Sequence, residues 1–588
     1  MHGQDESSTG ALNQRESEVR SATEWPRPHR ALLGQNGPMK RIGLVAGLLL
    51  CAFGSAAFAS RMWEWVLNFD PGFEFKHVPV STGSPLSKGV TILLVDGLRL
   101  DASRAMPTLD VLRTRGADIE AQVGTPSFSR PGRATVAVGA LPAIHGVTTN
   151  RQKRAIQLDN ILRRVGAVGG TCRVAGSKIW SSLFGRDIER CGVYREGEGK
   201  EGPGAFVRQV GEVRASQEAG VAFVLEKPST LRIADIISTD FAAHEYGGTS
   251  AEYHAEVQRA DALLAQLVRG LDLAKETLVV TADHGHRDEG GHGGEEANVL
   301  AIPIVMVGAG IRPGVVAKAS QADIAPTVAA LLGASLPTAS SGRPLESILA
   351  LDESRSASLA SAAAEQRAGF ERAVGERLGM IVHPGERTDW ASRILAHREA
   401  DKKRRLPFFI LLAVLISALA LAAVHVSRAR GSALVVGSAA LIVCLLGPFG
   451  ASIPAMSFSS INYDEMLIPF FIRILTLAAI ACLSAALIAV GAGHVFRRSP
   501  APDSPFDRAG SMGLMLSGAL LVVTAGWWWE FDLLSPLTLP GPDRLVQAFS
   551  LTLATLSASV TTLVLLAGLW LIETARRSRE AAQRIDAP

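Results

Sequence analysis

Three short runs set the pattern of the middle of the chain. Val90 to Val95 reads VTILLV, Ala234 to Thr239 reads ADIIST, and Thr277 to Thr281 reads TLVVT. They are short and rich in β-branched residues, which suits strands buried on both faces of a parallel sheet. Each runs into an aspartate: Asp96, Asp240 and Asp283. Helical stretches, Met106 to Arg115 and Ser250 to Leu271, and a further short strand, Ile302 to Val307, alternate with them. That alternation predicts an α/β fold, a central, mostly parallel sheet with helices on both faces. Ligands bind at the carboxyl ends of strands in such sheets, so the three aspartates are expected to meet although far apart in sequence.

Longer apolar runs change the picture. Ile42 to Ala59 has helix-spanning length, and five more runs follow: Leu406 to Val426, Ser432 to Met456, Leu467 to Val495, Ser511 to Trp529 and Phe549 to Ile572. The predicted organisation is a disordered cytoplasmic tail (1–41), a transmembrane anchor (42–60), a linker (61–88) and a catalytic domain (89–350). A helical connector (351–405), a five-helix transmembrane region (406–573) and a cytoplasmic tail (574–588) complete it. Six spans put both ends on one side. Arg428/Arg430, Arg497/Arg498 and Arg576/Arg577 then fall in the cytoplasm, as the positive-inside rule expects, with Lys402 to Arg405 an exception after a long translocated domain. Met39-Lys40-Arg41 with Ala57-Phe58-Ala59 also reads as a cleavable secretory signal, but the retained anchor is preferred. Arg473, inside the third C-terminal run, reads either as snorkelling to the interface or as facing a lipid head group together with Asp464 and Glu465.

Composition adds little chemistry and some location. The net charge of +3 gives no argument for nucleic acid, and no nucleic-acid polymer is expected as a partner. Cys172 and Cys191 are the two cysteines of the soluble part; they read either as a bridge contributing roughly 3 kcal/mol in an oxidising compartment or as two separate thiols. Few tyrosines, abundant alanine and arginine, and the lack of any Asn-x-Ser/Thr sequon favour a bacterial inner membrane, with the catalytic domain in the periplasm.

The candidate chemistry is concentrated in TLVVTADHGHRDEGGHGG, Thr277 to Gly294. Its glycines let Asp283, His284, His286, Asp288 and His292 converge instead of spreading along a strand. Mixed histidine and aspartate suits zinc, or alternatively manganese, better than calcium, which takes oxygen ligands. Asp240 and His244 reach one ion if the strand ends in a tight turn. Adjacent Asp283 and His284 point to opposite sides of an extended segment, so they serve two ions or flank a shared centre. Two divalent ions would clamp the attacking and leaving oxygens of a phosphoryl transfer. Ser129, in GTPSFSRPGR just before the helical run Ala134 to Val138, supplies a nucleophile near backbone N–H groups that favour phosphate. His286 and Asp288 match no ligand position and are read as loop residues or outer contacts to the ligands.

Together these pieces resemble the alkaline phosphatase superfamily. Ser129-Arg130-Pro131-Gly132, Asp283-His284-Gly285, Gly291-His292-Gly293 and Ser250-Ala251-Glu252-Tyr253 are similar to the GPI ethanolamine phosphate transferases. Val95-Asp96-Gly97, His145-Gly146 with Asn150 beyond, and Asp240 through His244-Glu245-Tyr246-Gly247 resemble the nucleotide pyrophosphatase/phosphodiesterases. The resemblance covers about residues 89 to 315. It implies an alkaline-phosphatase-like fold, one metal on Asp240, His244 and His292, and a second on Asp96, Asp283 and His284, with Ser129 bridging as nucleophile. It also implies that Asn150 binds a phosphate oxygen, with Arg130 or Arg133 adding a cationic contact. The expected activity is a membrane phosphoester transferase or phosphodiesterase acting through a phospho-serine, its substrate a membrane lipid or lipid-linked phosphodiester. A nucleotide pyrophosphatase/phosphodiesterase, a sulfatase with formylglycine at Ser129 (from Ser129-x-Pro131-x-Arg133), and a non-catalytic head-group binder are the alternatives.

Overall fold

The computed structural model describes residues 36–76, 79–152, 154–197, 205–380, 390–427, 459, 472, 474–480, 482–484, 504–530 and 542–585. Its strands are β1 (Val90–Val95), β2 (Ala117–Gln122), β3 (Cys172–Gly176), β4 (Gly192–Glu196), β5 (Leu231–Ile236), β6 (Thr277–Thr281), β7 (Ala301–Gly308) and β8 (Val315–Ser320). They form one sheet in the order β4-β3-β5-β1-β6-β7-β2-β8. β7 runs antiparallel to both its neighbours; every other pairing is parallel. β1 lies between β5 and β6, with Val95 opposite Ile236 and Leu94 opposite Thr281. The carboxyl ends of β5, β1 and β6 are therefore neighbours, and the segments that follow them deliver Asp240, Asp96 and Asp283 to one edge. All residues of these three strands are buried, which is why they read as near-continuous apolar runs.

The helices used below are α1 (Asn36–Leu67), α2 (Pro107–Arg115), α3 (Ser129–Val138), α4 (Lys178–Cys191), α5 (Ser238–Tyr246), α6 (Ala251–Gly270), α7 (Glu353–Leu378), α8 (Trp390–Ser427), α9 (Pro505–Glu530) and α10 (Pro542–Ile585). α2 and α6 match their predicted spans to within a residue, and Ser250 caps α6 through the Tyr253 N–H. One boundary differs. The strand expected over 234–239 ends at Ile236, and Asp240 and His244 lie on α5, not on a strand end with a tight turn. Four residues apart on a helix, the two side chains share a face. Cys172, opening β3, is bonded to Cys191, closing α4.

Among the described residues three helices are long and apolar enough to cross a membrane, within Pro38–Leu67, Pro505–Gly526 and Arg544–Arg584. α1 is packed into this bundle: Leu44 and Leu48 meet Phe506, Ala509 and Leu566, and Arg41 Nη2 lies 2.8 Å from Glu573 Oε2. That ion pair sets the start of α1 beside the end of α10. At its other end α1 touches the catalytic domain: Thr148 Oγ1 donates to the Val66 carbonyl (3.3 Å), and the Arg151 guanidinium lies over the Trp63 ring. The predicted run Leu406 to Val426 lies within α8, which begins inside the expected connector at Trp390. The run Ser432 to Met456, most of Leu467 to Val495, and Asp464, Glu465 and Arg473 lie outside the described residues, as do the N-terminal tail through residue 35 and the last three residues.

Candidate active site

β1, β5 and β6 leave their ends side by side, and two loops and two helices complete a buried cluster there. Ser129 is the first residue of α3; the capping position is Phe128, so Ser129 is no helix cap, and its hydroxyl lies 3.2 Å from His284 Nε2. α3 can sit this close to the β6 loop because of Gly132: a Cβ there would lie 2.7 Å from both Asp283 Cβ and the Asp283 carbonyl oxygen. The loop beyond β6 turns back through Gly290, Gly291 and Gly293, with φ of 94°, 87° and 108°, and so brings His292 over the strand end.

The side chains fall into two groups. In the first, His244 Nε2 and His292 Nε2 are 3.0 Å apart and lie 3.5 and 3.6 Å from Asp240 Oδ1. A tetrahedral ion with bonds of about 2.0–2.1 Å has ligand atoms about 3.3 Å apart, so these three atoms fit one face of such a site. In the second, His284 Nε2 lies 3.4 Å from Asp96 Oδ1 and 3.6 Å from Asp283 Oδ2. Asp96 Oδ1 is buried and has no hydrogen-bond partner among the described residues, a costly state that a cation would relieve. Two overlapping sets, Asp240/His284/His286/His292 and Asp96/Asp283/His284, bring one ligand atom per residue within 4.8 Å of each other. The residues present therefore fit two divalent ions, with His284 between them.

Electrostatics point the same way. Burial pushes His284 down to about 3, and His244, His286 and His292 well below the usual imidazole range. Near neutral pH the rings are uncharged, the state in which imidazole binds a metal. Burial also raises the Asp96 and Asp283 carboxyls against the opposing charge of Arg133. Arg133 Nη2 reaches Asp96 Oδ2 at 2.7 Å and Asp235 Oδ1 at 2.8 Å, and its Nη1 reaches Asp283 Oδ2 at 2.6 Å. One guanidinium thus faces three buried carboxylates, a shortage of positive charge at the heart of the site.

This corrects the assignment of Arg133 as a substrate contact. Its side chain is fully buried and spent on Asp96, Asp235 and Asp283, so it braces the cluster from beneath. Arg130 and Asn150 do lie beside Ser129. Asn150 Oδ1 accepts from the Arg130 N–H (2.9 Å), and the Arg130 side chain donates to the Asn150 carbonyl and to Ser182 Oγ. His145 is structural: its Nδ1 accepts from Val147 N–H, and its Nε2 meets Thr135 Oγ1.

One member of the cluster, Asp235, escaped the sequence reading, and another, His286, is read there only as a loop residue or an outer contact to the ligands. Asp235 is a charge inside a buried strand, a signal that it has a buried cation to meet. His286 is fully buried, with Nε2 2.7 Å from Asp240 Oδ1 and its ring centroid 5.6 Å from that of His284. Asp288, also read as an outer loop residue, is bound by Arg99, whose guanidinium also donates to the His286 carbonyl.

A family model for type I phosphodiesterase/nucleotide pyrophosphatase matches residues 203–301, the span that carries Asp240, His244, Asp283, His284 and His292. GPI ethanolamine phosphate transferase 2, catalytic subunit, of Homo sapiens is 25% identical over 278 residues, covering 44% of this chain and 28% of that protein. The chain is similar to both the phosphodiesterase model and this transferase. GPI ethanolamine phosphate transferase 2 of Aspergillus fumigatus is 23% identical over 348 residues, 53% of this chain and 42% of that protein. The chain thus spans less than half the length of either transferase. Among solved structures, murine ectonucleotide pyrophosphatase/phosphodiesterase 5 overlaps 45% of this chain and all of that one, at 14% identity and a TM-score of 0.37.

Proposed function

We propose that this protein is a membrane-bound, dimetal-dependent phosphoester transferase or phosphodiesterase acting outside the cytoplasm through a phospho-serine at Ser129. The observation that carries the proposal is the Ser129 hydroxyl 3.2 Å from His284, the residue common to both metal-capable groups. Asp240, His244 and His292 would hold one ion, and Asp96, Asp283 and His284 the other, zinc or alternatively manganese. When bound, the ions supply positive charge to the attacking and leaving oxygens and favour the serine alkoxide.

Ser129 Oγ forms a bond to phosphorus, and the bond to the departing alcohol breaks. An acceptor hydroxyl, or water, then attacks the same phosphorus, and Oγ leaves. Because Asn150 Oδ1 is committed to the Arg130 N–H, its amide N–H₂ is the group offered to a phosphate oxygen. The names of the related transferases and the helices that suit a bilayer support a phosphoethanolamine-type lipid donor and a lipid or glycolipid acceptor. The Cys172–Cys191 bond supports an oxidising compartment, in keeping with a periplasmic domain on a bacterial inner membrane. A nucleotide-type diesterase is the second reading, supported by the family model over residues 203–301. The buried histidines disfavour a sulfatase, whose calcium takes oxygen ligands.

The test is turnover of an aryl phosphodiester by the detergent-purified full chain loaded with zinc or manganese. Ser129→Ala is expected to lose about 10⁴-fold or more while keeping its metal content, the scale of removing a nucleophile. Equal turnover in the variant would reject Ser129. Labelled phosphatidylethanolamine with and without an acceptor alcohol then separates transfer from hydrolysis, and a nucleotide diester tests the second reading.

A further inference from the structure

We infer that His286 is a positioning residue for Asp240: it donates Nε2–H to Asp240 Oδ1 and holds that carboxylate toward His244 and His292. The inference rests on the dimetal reading above. It follows from how three of the buried imidazoles, those of His284, His292 and His286, are held. His284 Nδ1 lies 3.0 Å from the Gly285 carbonyl and His292 Nδ1 lies 3.0 Å from the Ser127 carbonyl. A carbonyl only accepts, so both rings carry their proton on Nδ1 and leave Nε2 bare, as a ligand requires. His286 is different. Its Nδ1 is buried without a hydrogen-bond partner among the described residues, and its Nε2 lies 2.7 Å from a carboxylate oxygen. Nothing draws its proton to Nδ1, and Asp240 draws it to Nε2.

The slot for this ring is cut to shape. A Cβ on Gly97 would lie 2.7 Å from His286 Cδ2, and one on Gly248 would lie 2.9 Å from His286 Cβ. Arg99, fixed by Asp101 and Asp288, donates to the His286 carbonyl. The ring therefore cannot swing away from Asp240 without moving the residues that wall it in. With His286 outside the coordination sphere, Asp240, His244 and His292 would be the three protein ligands of an ion in the first group. That would leave room for a substrate oxygen, as in catalytic sites.

The experiment compares wild type, His286→Gln and His286→Leu as full chains in detergent. Zinc affinity is read by competition with a chromophoric chelator, and the imidazole count by X-ray absorption of the zinc-loaded protein. Gln keeps an N–H donor for Asp240; Leu removes it. His286→Leu is expected to weaken one of the two sites by about 10–100-fold, the cost of losing a hydrogen-bond partner of a metal ligand, with the imidazole count unchanged. His286→Gln is expected to stay within about threefold of wild type, a recovery that a merely space-filling role would not produce. A count that falls by one imidazole in either variant would make His286 a ligand and overturn the inference, as would full affinity in His286→Leu. If the leucine variant does not fold, the glutamine variant decides: a lost imidazole or a fall beyond tenfold overturns the inference. Wild-type protein that binds no zinc or manganese would instead remove the dimetal reading on which it stands.

Discussion

Arg133→Met separates a brace from a substrate clamp. The substitution leaves Asp96, Asp235 and Asp283 buried without the cation that contacts all three at 2.6–2.8 Å. Breaking a buried ion network by removing one partner costs about 3–5 kcal/mol. In a domain of roughly this size each kcal/mol moves the melting temperature by about 2–4 °C, so the metal-free domain should melt roughly 6–20 °C lower. Divalent ions would offset part of the loss through Asp96 and Asp283 but not through Asp235, which belongs to neither metal-capable group. The assay is thermal unfolding of wild type and variant in chelator and in excess zinc, read by fluorescence and by protease resistance of the catalytic domain. The difference should be large in chelator and smaller, though not zero, in zinc. An unchanged melting temperature with a raised KM would refute the reasoning and restore Arg133 as a substrate contact.

Further outcomes follow from other parts of the molecule. Because burial holds His284 near 3, against an ordinary value of 6.5, the unfolded metal-free chain binds more protons than the folded one between those limits. Its stability should be full above about pH 6.5 and fall progressively toward pH 3, by on the order of 5 kcal/mol from this ring alone; equal urea midpoints at pH 7 and pH 4.5 would contradict this. Asn150→Ala should raise KM by about tenfold or more at unchanged metal content, the scale of one hydrogen bond to a charged group, measured in steady-state kinetics. Replacing Cys172 and Cys191 by serine should cost roughly 3 kcal/mol, and reductant should then have no further effect on the melting temperature.

The sheet was legible because its central strands are buried on both faces. β1 and β6 match the predicted runs residue for residue, and Ser250 and the periodicity after it mark α6. The end of β5 was not: Ile237, Ser238 and Thr239 continue its apolar, β-branched character, yet Ser238 and Thr239 open a helix. Thr239 Oγ1 donates to the Asp96 carbonyl, so a contact with the next strand, invisible to local pattern, helps settle that boundary. Asp96, Asp240, Asp283, His284, His292 and Ser129 were singled out by type and position, and the fold brings them together. The roles of Arg133 and Asp235 were hidden because each depends on a partner distant in sequence, a cation under three strand ends and its carboxylate; for His286 loop residue and outer contact were both open, since its partner Asp240 lies far back on α5.

The junction between α1 and the catalytic domain has a mechanical consequence. Val66 and Trp63, at the end of a helix suited to spanning a bilayer, support Thr148 and Arg151, the residues on either side of Thr149 and Asn150. A spanning helix answers a change in bilayer thickness by tilting. Tilting α1 would load the loop that carries Asn150, which Arg130 at the start of α3 holds from the other side. That loop thus stands between two holds, one on the domain and one on the long apolar helix. Under the function proposed above, lipid acyl-chain length becomes a variable of the chemistry, and rates in thick and thin bilayers are expected to differ.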